Sequence, residues 1–531
     1  MRGATQLARH GATKASDGIF VKHRKNKVRA AAAVPAALVA QQRAFYRLAR
    51  SVFLRSLRRP FRVFPPPFFA VCISQQHMGN NGTKNNKGGV APLKIGLGII
   101  GFGTVGQGVW KHLAATKKNM EVRMNVKIEL IGVCVRDPNK TRAVKIPRTQ
   151  IHTAPNDIVD DPRVNIVCEL MGGTTLAREV TLRALRMGKV VISANKALIC
   201  EHGAEIFKAV SEYGGQYLFE ASVAGGIPII KSLREGLVAN RFSEIAGIIN
   251  GTCNYLLTRM EKEGLSYETV LQDARRLGYV EADESLDLDG IDAYHKAVIL
   301  AFLAHGKWIP RRNTLVEGIR NVTLEDIQRA RDFGYRIKHL AVIRRNFAKG
   351  LMTLGVYPAL IPLDKVLARV DDVYNGISLT GDVVGTTTLV GRGAGQDATA
   401  SAVIGDIVDA IRTLKGASLK FLTREDLDSY AALGSTVRMA SQEEIHTSFY
   451  LRFLLRDTHG VSAEVYRILA EEKISVARVV QYENPGTRHG THTLSTYPVT
   501  EAAMERALRK FRRLRNVLDR PLVLRIFAPG N

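Results

Sequence analysis

The segment LKIGLGIIGFGTVGQGVW, which begins at Leu93, constrains the fold of this chain more than any other stretch. A short apolar run leads into glycines with the spacing G-x-G-x-x-G, and a helical pattern follows at once. Such glycines let backbone N–H groups at a helix N-terminus approach a pyrophosphate; the alternative is a tight glycine turn without a ligand. The predicted phosphate-binding residues of this glycine loop are Gly101, Phe102, Gly103, Thr104, Val105 and Gly106.

Three later segments, KIELIGVCV, VNIVCELMGG and KVVISANK, have the composition of further buried strands, and helical patterns separate them. Strands that alternate with helices indicate a parallel sheet with helices on its faces. We therefore predict an α/β fold that begins with a Rossmann-like doubly wound parallel sheet.

The end of the second strand bears on the choice of cofactor. An NAD site usually has an acidic residue there for the ribose 2′-hydroxyl, whereas this chain has Arg136 and Lys140 around Asp137. Two cations suit a 2′-phosphate and favour NADPH, while Asp137 keeps NADH possible. The alternative is that both cations are solvated loop residues.

An acidic run, EADESLDLDGIDAYHK, leads into a later helix. If that helix begins near Asp289, Asp292 and Lys296 lie four residues apart on one face, and Glu281 and Asp287 lie in the preceding loop. This arrangement suits a site that holds an amino acid and protonates a carbonyl. The alternative is a capped surface helix with an exposed ion pair.

Charge and cysteine content exclude several classes of protein. Of the net charge of +27, residues 1–90 carry 17 Lys and Arg against one acid, while the rest has 59 bases and 48 acids. That distribution, without interleaved basic and aromatic residues, does not predict nucleic-acid binding. No apolar run reaches the roughly 18 residues of a membrane helix. Five cysteines without a C-x-x-C pair indicate neither zinc nor disulfides, and fit a reducing cytoplasm.

Residues 1–91 form a basic extension that we predict to be disordered. Its Arg-rich, acid-poor composition is typical of an organelle transit peptide. The alternative is that residues 1–77 precede the true start and that translation begins at Met78.

Seven motifs resemble those of homoserine dehydrogenases and occur in the same order: GFGTVGQG, CELMGG, ISANKALI, FEASVAGGIPII, IINGTCNYLL, GYVEADESLDLDGIDAYHK and GRGAGQDATASAV. The resemblance covers roughly residues 93–412. It implies NAD(P)H-dependent interconversion of L-aspartate 4-semialdehyde and L-homoserine, in threonine and methionine biosynthesis. It also implies a mixed α/β catalytic and dimerisation domain.

The resemblance assigns roles to individual residues. The residues implied for proton transfer are Lys196 and Lys296, with Asp292 as a catalytic carboxylate. The resemblance also implies that Lys196 lies beside the cofactor. Substrate binding falls to Glu281 and Asp287, with the glutamate facing the amino group.

Two glycine-rich turns complete the implied site. In the late glycine loop, residues 391–395, Gly395 contacts the cofactor, unless the loop serves only as a helix start capped by Thr399. A monovalent cation, usually sodium in this family, is bound by the backbone near Glu220, Val223, Gly225 and Ile227. The chain departs from the family pattern at Glu284, His295, Arg392 and Ala398.

The end of the chain follows a β-α-β-β-α-β order, which predicts a ferredoxin-like arrangement. It resembles an ACT domain, with His459 in place of the usual proline. The resemblance implies an amino-acid effector, threonine, with candidate contacts at Asp457, Gly460 and Gln481; a module that only dimerises is the alternative.

The predicted domains are the nucleotide domain at 92–236, the catalytic domain at 237–413, a linker at 414–444 and the ACT domain at 445–528. We expect a homodimer or homotetramer. A catalytically silent amino-acid sensor is the alternative function, although both lysines and the substrate carboxylates are present.

Overall fold

The structure is a computed structural model that describes residues 91–279, 284–417, 421–483 and 486–528. The predictions for residues 1–90, including Met78, and for Glu281 lie outside the described residues. In the described part of the chain, no helix has both the length and the apolar character needed to cross a membrane.

The first sheet contains six strands, and four helices connect them. The strands are β1 (Leu93–Ile100), β2 (Val126–Cys134), β3 (Ile151–His152), β4 (Ile166–Glu169), β5 (Val190–Ser193) and β6 (Gln216–Leu218). The helices are α1 (Thr104–Met124), α2 (Asn156–Val159), α3 (Thr175–Arg186) and α4 (Lys196–Tyr213).

All neighbouring strands of this sheet are parallel, in the order β3-β2-β1-β4-β5-β6. The order reverses between β1 and β4, and this confirms the predicted doubly wound sheet. Ligands of such sheets bind outside the carboxyl ends of the strands at the point of reversal. The glycine loop and the end of β4 both lie there.

The second sheet contains twelve strands. They are β7 (Phe242–Ile248), β8 (Leu315–Val316), β9 (Tyr335–Asn346), β10 (Leu351–Pro362), β11 (Tyr374–Gly381), β12 (Gly385–Arg392), β13 (Arg438–Met439), β14 (His446–Arg456), β15 (Val476–Glu483), β16 (His489–Thr496), β17 (Val499–Thr500) and β18 (Leu522–Ile526). Nine of them run β12-β11-β7-β9-β10-β18-β14-β16-β15, while β8 and β13 pair with β10 and β17 pairs with β14.

The remaining helices pack around this sheet or return to the first one. They are α5 (Ile229–Lys231), α6 (Gly251–Glu263), α7 (Tyr267–Arg276), α8 (Ser285–Leu288), α9 (Ile291–His305), α10 (Leu324–Asp332), α11 (Gln396–Leu414), α12 (Arg424–Ser435), α13 (Val461–Glu471) and α14 (Glu501–Phe511).

Two helices position the functional site. Helix α9 contacts α4, β9 and β10. Its residues are apolar on almost every face, as expected of a helix that packs on several sides. Helix α11 lies on the first sheet, where Ala400, Val403 and Ile407 share a core with Ile95 and Ile99. The chain therefore crosses from the first sheet to the second and back before its C-terminal part.

The C-terminal part has the predicted ferredoxin-like order, with β15-β16-β14-β18 antiparallel and joined by α13 and α14. Strand β18 also pairs in parallel with β10, so this part continues the second sheet. The segment predicted as a linker contains α12 and β13; α12 begins with a capping box formed by Thr423 and Asp426. Its Tyr430 ring lies 4.9 Å from that of Phe302 in α9.

Candidate active site

The glycine loop is shaped for a close approach to an anion. Gly101 has φ +97°, and a Cβ there would lie 2.4 Å from the Leu170 carbonyl oxygen. Around Gly103 the space is open, and no side chain caps the start of α1 at this residue. The first N–H groups of α1 therefore lack a side-chain cap and can bind phosphate oxygens. These residues fit a dinucleotide pyrophosphate.

Arg142 ties the loop after β2 to the glycine loop, a contact that the sequence motifs do not predict. Its guanidinium donates to the carbonyl oxygens of Phe102 at 3.3 Å, Lys140 at 2.9 Å and Asp137 at 2.8 Å. All three acceptors are neutral, so none of these bonds neutralises the positive charge of Arg142. Arg136 and Lys140 themselves are exposed. Arg142 lies only two residues after Lys140, but its contact with Phe102, 40 residues away in the sequence, has no local sequence signal.

The two predicted lysines meet on the two oxygens of one carboxylate. Lys296 Nζ lies 2.7 Å from Asp292 Oδ2 and donates to the Ile249 carbonyl oxygen at 2.7 Å. Lys196 Nζ lies 3.1 Å from Asp292 Oδ1. The side chains of Asp292 and Lys296 are each 9% exposed, so their i,i+4 pair is not the surface pair considered as the alternative. We call Lys196, Asp292 and Lys296 the two-lysine cluster.

Opposing effects act on the carboxyl group of this cluster. Burial raises the pKa of Asp292, but the charges of Lys296 and Lys196 and hydrogen bonds from Lys296 and Asn250 outweigh burial. The net result holds the pKa of Asp292 well below its usual value. Asp292 is therefore ionised throughout the neutral range and keeps both ammonium groups in place.

Asn250 links the cluster to Asp287, and the sequence search did not single it out. Its Nδ2 donates to Asp287 Oδ1 at 2.7 Å and to Asp292 Oδ2 at 3.0 Å, while its Oδ1 accepts the Cys253 N–H at the start of α6. Thr252 Oγ1 lies 3.4 Å from Asp287 Oδ2. An asparagine before a helix start indicates an N-cap, which was the available signal. Asn250 thus bridges Asp287 to the two-lysine cluster.

Ion pairs hold the carboxylate of Glu284, the position at which the sequence departs from a proline of the family pattern. Arg275 Nη2 lies 2.7 Å and Arg320 Nη1 lies 3.3 Å from the Glu284 carboxylate. The hydrogen bond from Arg275 lowers the pKa of Glu284. Arg320 also binds Asp289 at 2.6 Å, so it joins Glu284 to the segment that precedes α9.

The turn predicted to bind a cation is tightly coiled and adjoins the late glycine loop. Ala224 and Gly225 have φ values of 53° and 35°, and Gly226 N donates to the Arg392 carbonyl oxygen at 2.9 Å. The Glu220 carboxylate accepts the N–H groups of Ile230 and Lys231, both at 2.9 Å. That carboxylate therefore stabilises the start of α5. The groups of this turn that suit a monovalent cation are backbone carbonyls, such as those of Val223, Gly225 and Ile227.

The described residues contain no cluster of three or more His, Cys, Asp or Glu side chains able to hold a metal ion.

The late glycine loop lies beside the first glycine loop. Gly395 is the N-cap of α11 without a side-chain cap, and Gln396 Nε2 donates to the Thr104 carbonyl oxygen at 2.9 Å. Thr399 lies inside the helix, with its N–H on the Gly395 carbonyl, so it is not the cap considered as the alternative. Two helix starts thus border one crevice.

The predicted effector residues are not brought together within one chain. Asp457 follows β14 and Gly460 precedes α13, whereas Gln481 lies on β15 opposite His492 of β16. Because β16 lies between β14 and β15, these two strands are two strand spacings apart, roughly 10 Å. Asp457, Gly460 and Gln481 are all exposed.

Comparisons with known proteins converge on one family. A family model described as "Homoserine dehydrogenase" matches residues 228–408, and one described as "Homoserine dehydrogenase, NAD binding domain" matches residues 101–220. A homoserine dehydrogenase of Pseudomonas aeruginosa is 41% identical over 392 residues, which is 74% of this chain and 88% of the relative.

Solved structures agree with the sequence matches. A homoserine dehydrogenase from Thiobacillus denitrificans has 38% identity and a TM-score of 0.75 over 82% of this chain and 99% of its own. A hyperthermophilic archaeal homoserine dehydrogenase in complex with NADPH has 27% identity and a TM-score of 0.51 over 61% of this chain and 98% of its own.

Proposed function

Because this chain belongs to the homoserine dehydrogenase family of NAD(P)-dependent oxidoreductases, we propose that it interconverts L-aspartate 4-semialdehyde and L-homoserine at the two-lysine cluster. The observation that carries the proposal is the meeting of Lys196 and Lys296 on the two oxygens of Asp292. Two ammonium groups at a buried carboxylate suit a reaction that develops negative charge on an oxygen.

The cofactor, a nicotinamide dinucleotide, supplies the hydride when bound. Reduction of an aldehyde carbon leaves an alkoxide, which one ammonium group stabilises and protonates; in the reverse direction the lysine accepts the hydroxyl proton. Two N–H groups of Lys296 are directed at Asp292 and at the Ile249 carbonyl. One N–H of its ammonium group therefore has no bond among the described residues and can face the substrate oxygen.

The same residues suit an amino-acid substrate. Asp287 lies next to Asn250 and Thr252, so its carboxylate is oriented for a substrate ammonium group. We propose that Glu281 completes this ammonium site. The side chain of Lys196 is 38% exposed and provides the exchange of protons with solvent that the buried Lys296 lacks.

We propose NADPH as the preferred cofactor. Arg136 and Lys140 are exposed after β2, and the guanidinium of Arg142 in the same loop contacts the glycine loop at Phe102. Three cations in the loop after β2 favour a cofactor that carries the additional negative charge of a 2′-phosphate. Sodium at the carbonyls of Val223, Gly225 and Ile227 is a further proposal, tested by activity in sodium against choline salts.

The first test follows nicotinamide absorbance with L-homoserine as substrate and NADP⁺ or NAD⁺ as cofactor. We expect homoserine-dependent reduction of both, with the higher kcat/KM for NADP⁺. Replacing Arg136 by Ala is expected to lower kcat/KM about tenfold for NADP⁺, a loss of roughly 1.4 kcal/mol, and little for NAD⁺. Absence of turnover with both cofactors in folded protein would contradict the proposed activity.

We also propose that the C-terminal part, residues 445–528, is an ACT domain that binds threonine and inhibits the enzyme. Asp457 and the helix start at Gly460 suit the ammonium and carboxylate groups of an amino acid. Because Gln481 is two strands away, a complete site requires the Gln481 edge of a second copy. This edge belongs to β15, which ends the sheet in the described residues, whereas β18 is already paired with β10.

Titration with threonine tests this regulation. We expect threonine to lower activity, and Asp457→Ala to raise the half-inhibiting concentration about tenfold or more, the effect of losing a hydrogen-bonded charge. Asp428→Ala, at an exposed position of α12, is the matched control. If neither threonine nor a related amino acid alters activity or melting temperature, the regulatory proposal fails.

A further inference from the structure

A buried carboxylate lies at the end of β4, where the strand order of the first sheet reverses. Glu169 is 0% exposed. Its Oε1 accepts the N–H of Met171 at 2.9 Å, and its Oε2 accepts the hydroxyl of Ser193 at 2.7 Å. Glu169 therefore joins the ends of two neighbouring strands at the edge where the cofactor crevice opens.

The hydrogen-bond chain continues from Ser193 to the start of α4. Ser193 Oγ accepts the Asn195 N–H at 3.0 Å, and Asn195 Oδ1 caps α4 by accepting the Leu198 N–H at 3.1 Å. Asn195 Nδ2 donates to the Gly173 carbonyl oxygen at 2.7 Å. Lys196 is the next residue. The chain of bonds thus joins Glu169, the 171–173 loop and the backbone that carries Lys196.

Within the described part of the chain, no cation contributes to stabilising this carboxylate. Burial raises the pKa of Glu169 to about 7, and only the hydrogen bonds from Ser193, Met171 and Asn195 oppose burial. The titratable group that faces it is Tyr217 of β6, whose hydroxyl is itself buried. Keeping an unpaired carboxylate in the core is costly, and strongly perturbed acids of this kind concentrate at functional sites.

We propose that Glu169 is a positioning residue for the reaction: through Ser193 and Asn195 it fixes the start of α4, and so holds the Lys196 ammonium group on Asp292. This inference rests on the proposed function, because it acts through the proton-transfer role of Lys196. A displaced lysine loses the geometry on which proton transfer depends, and small displacements at a reacting centre cost up to about a hundredfold in rate.

A double-mutant cycle separates the inference from the function it rests on. Glu169→Gln keeps the volume and removes the charge, and we expect kcat to fall about 10- to 100-fold. Lys196→Met is expected to lower kcat at least as much. Adding Glu169→Gln to Lys196→Met is expected to lower kcat less than about threefold further, because contacts that act as one unit are not additive.

The outcomes are distinguishable. If Lys196→Met keeps near-normal turnover, the role of Lys196 in the proposed function fails. If Lys196→Met is impaired but Glu169→Gln is not, or if the two losses multiply in the double variant, the positioning inference fails while the proposed function stands. Glu205→Gln is the matched control, since it breaks a bidentate pair of α4 with Arg178 far along the same helix.

The pH dependence of kcat distinguishes the proposed role from a purely structural one, because loss of a purely structural contact would not change the shape of that dependence. Ionised Glu169 accepts both bonds and the protonated form does not, so wild-type kcat for semialdehyde reduction, the direction in which the lysine acts as an acid, should fall as pH drops through about 7. For Glu169→Gln, we expect kcat not to show this fall between about pH 8 and pH 6. If kcat of the variant falls with pH as it does in the wild type, the inference is overturned. If Glu169→Gln does not fold, Ser193→Ala breaks the same chain and is measured in its place.

Discussion

Replacing Lys296 by Met is expected to lower kcat for homoserine oxidation about a hundred- to ten-thousand-fold, the range that a general acid or base contributes. The Met side chain fills the buried space but cannot donate to the alkoxide oxygen. The Kd of the dinucleotide should change by less than about threefold, because the glycine loop and α1 do not depend on Lys296. Steady-state kinetics and cofactor fluorescence titration measure the two quantities.

A second substitution separates charge from proton transfer. Lys296→Arg keeps a cation beside Asp292, but an arginine does not release its proton in proteins, so turnover should remain low. Lys208→Met is the control, because Lys208 forms an exposed i,i+4 pair with Glu212 and lies on the far part of α4. Near-normal turnover of Lys296→Met and Lys296→Arg would rule out the proposed acid–base role.

Asp292→Asn is expected to lower the free energy of unfolding by about 3–5 kcal/mol, the cost of removing one partner from a buried ion pair. The substitution leaves Lys296, whose side chain is 9% exposed, facing a neutral amide, and removes the acceptor of Lys196. Urea unfolding at neutral pH measures the loss. Asp289→Asn, which removes an exposed partner of Arg320, is the control and should cost about 1 kcal/mol or less.

The stability difference should also depend on pH. The pKa of Asp292 is lowered in the folded protein, so its ionised form stabilises the fold above the ordinary carboxyl pKa. That contribution is lost as pH falls below about 4, through the unfolded value and toward the folded one. The gap between wild type and Asp292→Asn should therefore narrow as pH falls from about 4 toward about 2. A constant gap over this interval would refute the ionic explanation.

Local patterns predicted most of the architecture. The glycine spacing after Leu93 and the apolar segments that follow indicated the parallel sheet, because side-chain periodicity and glycine geometry act over a few residues. The order of strands and helices in the C-terminal part was predicted from the same kind of local pattern. The helix at 424–435 was predicted as linker, because its burial comes from packing of Tyr430 on α9 rather than from a strong apolar period.

Candidate residues were found where a chemical type stood in a motif. Lys196, Asp292 and Lys296 were identified in that way, and the structure brings them together. Arg142, two residues after Lys140, and Glu169, within CELMGG, were not identified, because the partners that make them informative, Phe102 and Ser193, are distant in the sequence. Nothing in their local pattern distinguishes them from a loop cation and a strand-end acid.

The sequence by itself determined which segments become strands, glycine loops and helices, and which side chains can carry charge or protons, because these properties depend on near neighbours along the chain. Only the tertiary structure decided that α4 and α9 pack so that two ammonium groups meet on Asp292, and that Glu169 is sealed from water. Both outcomes depend on contacts between distant segments and on the desolvation that packing imposes, which no local pattern encodes.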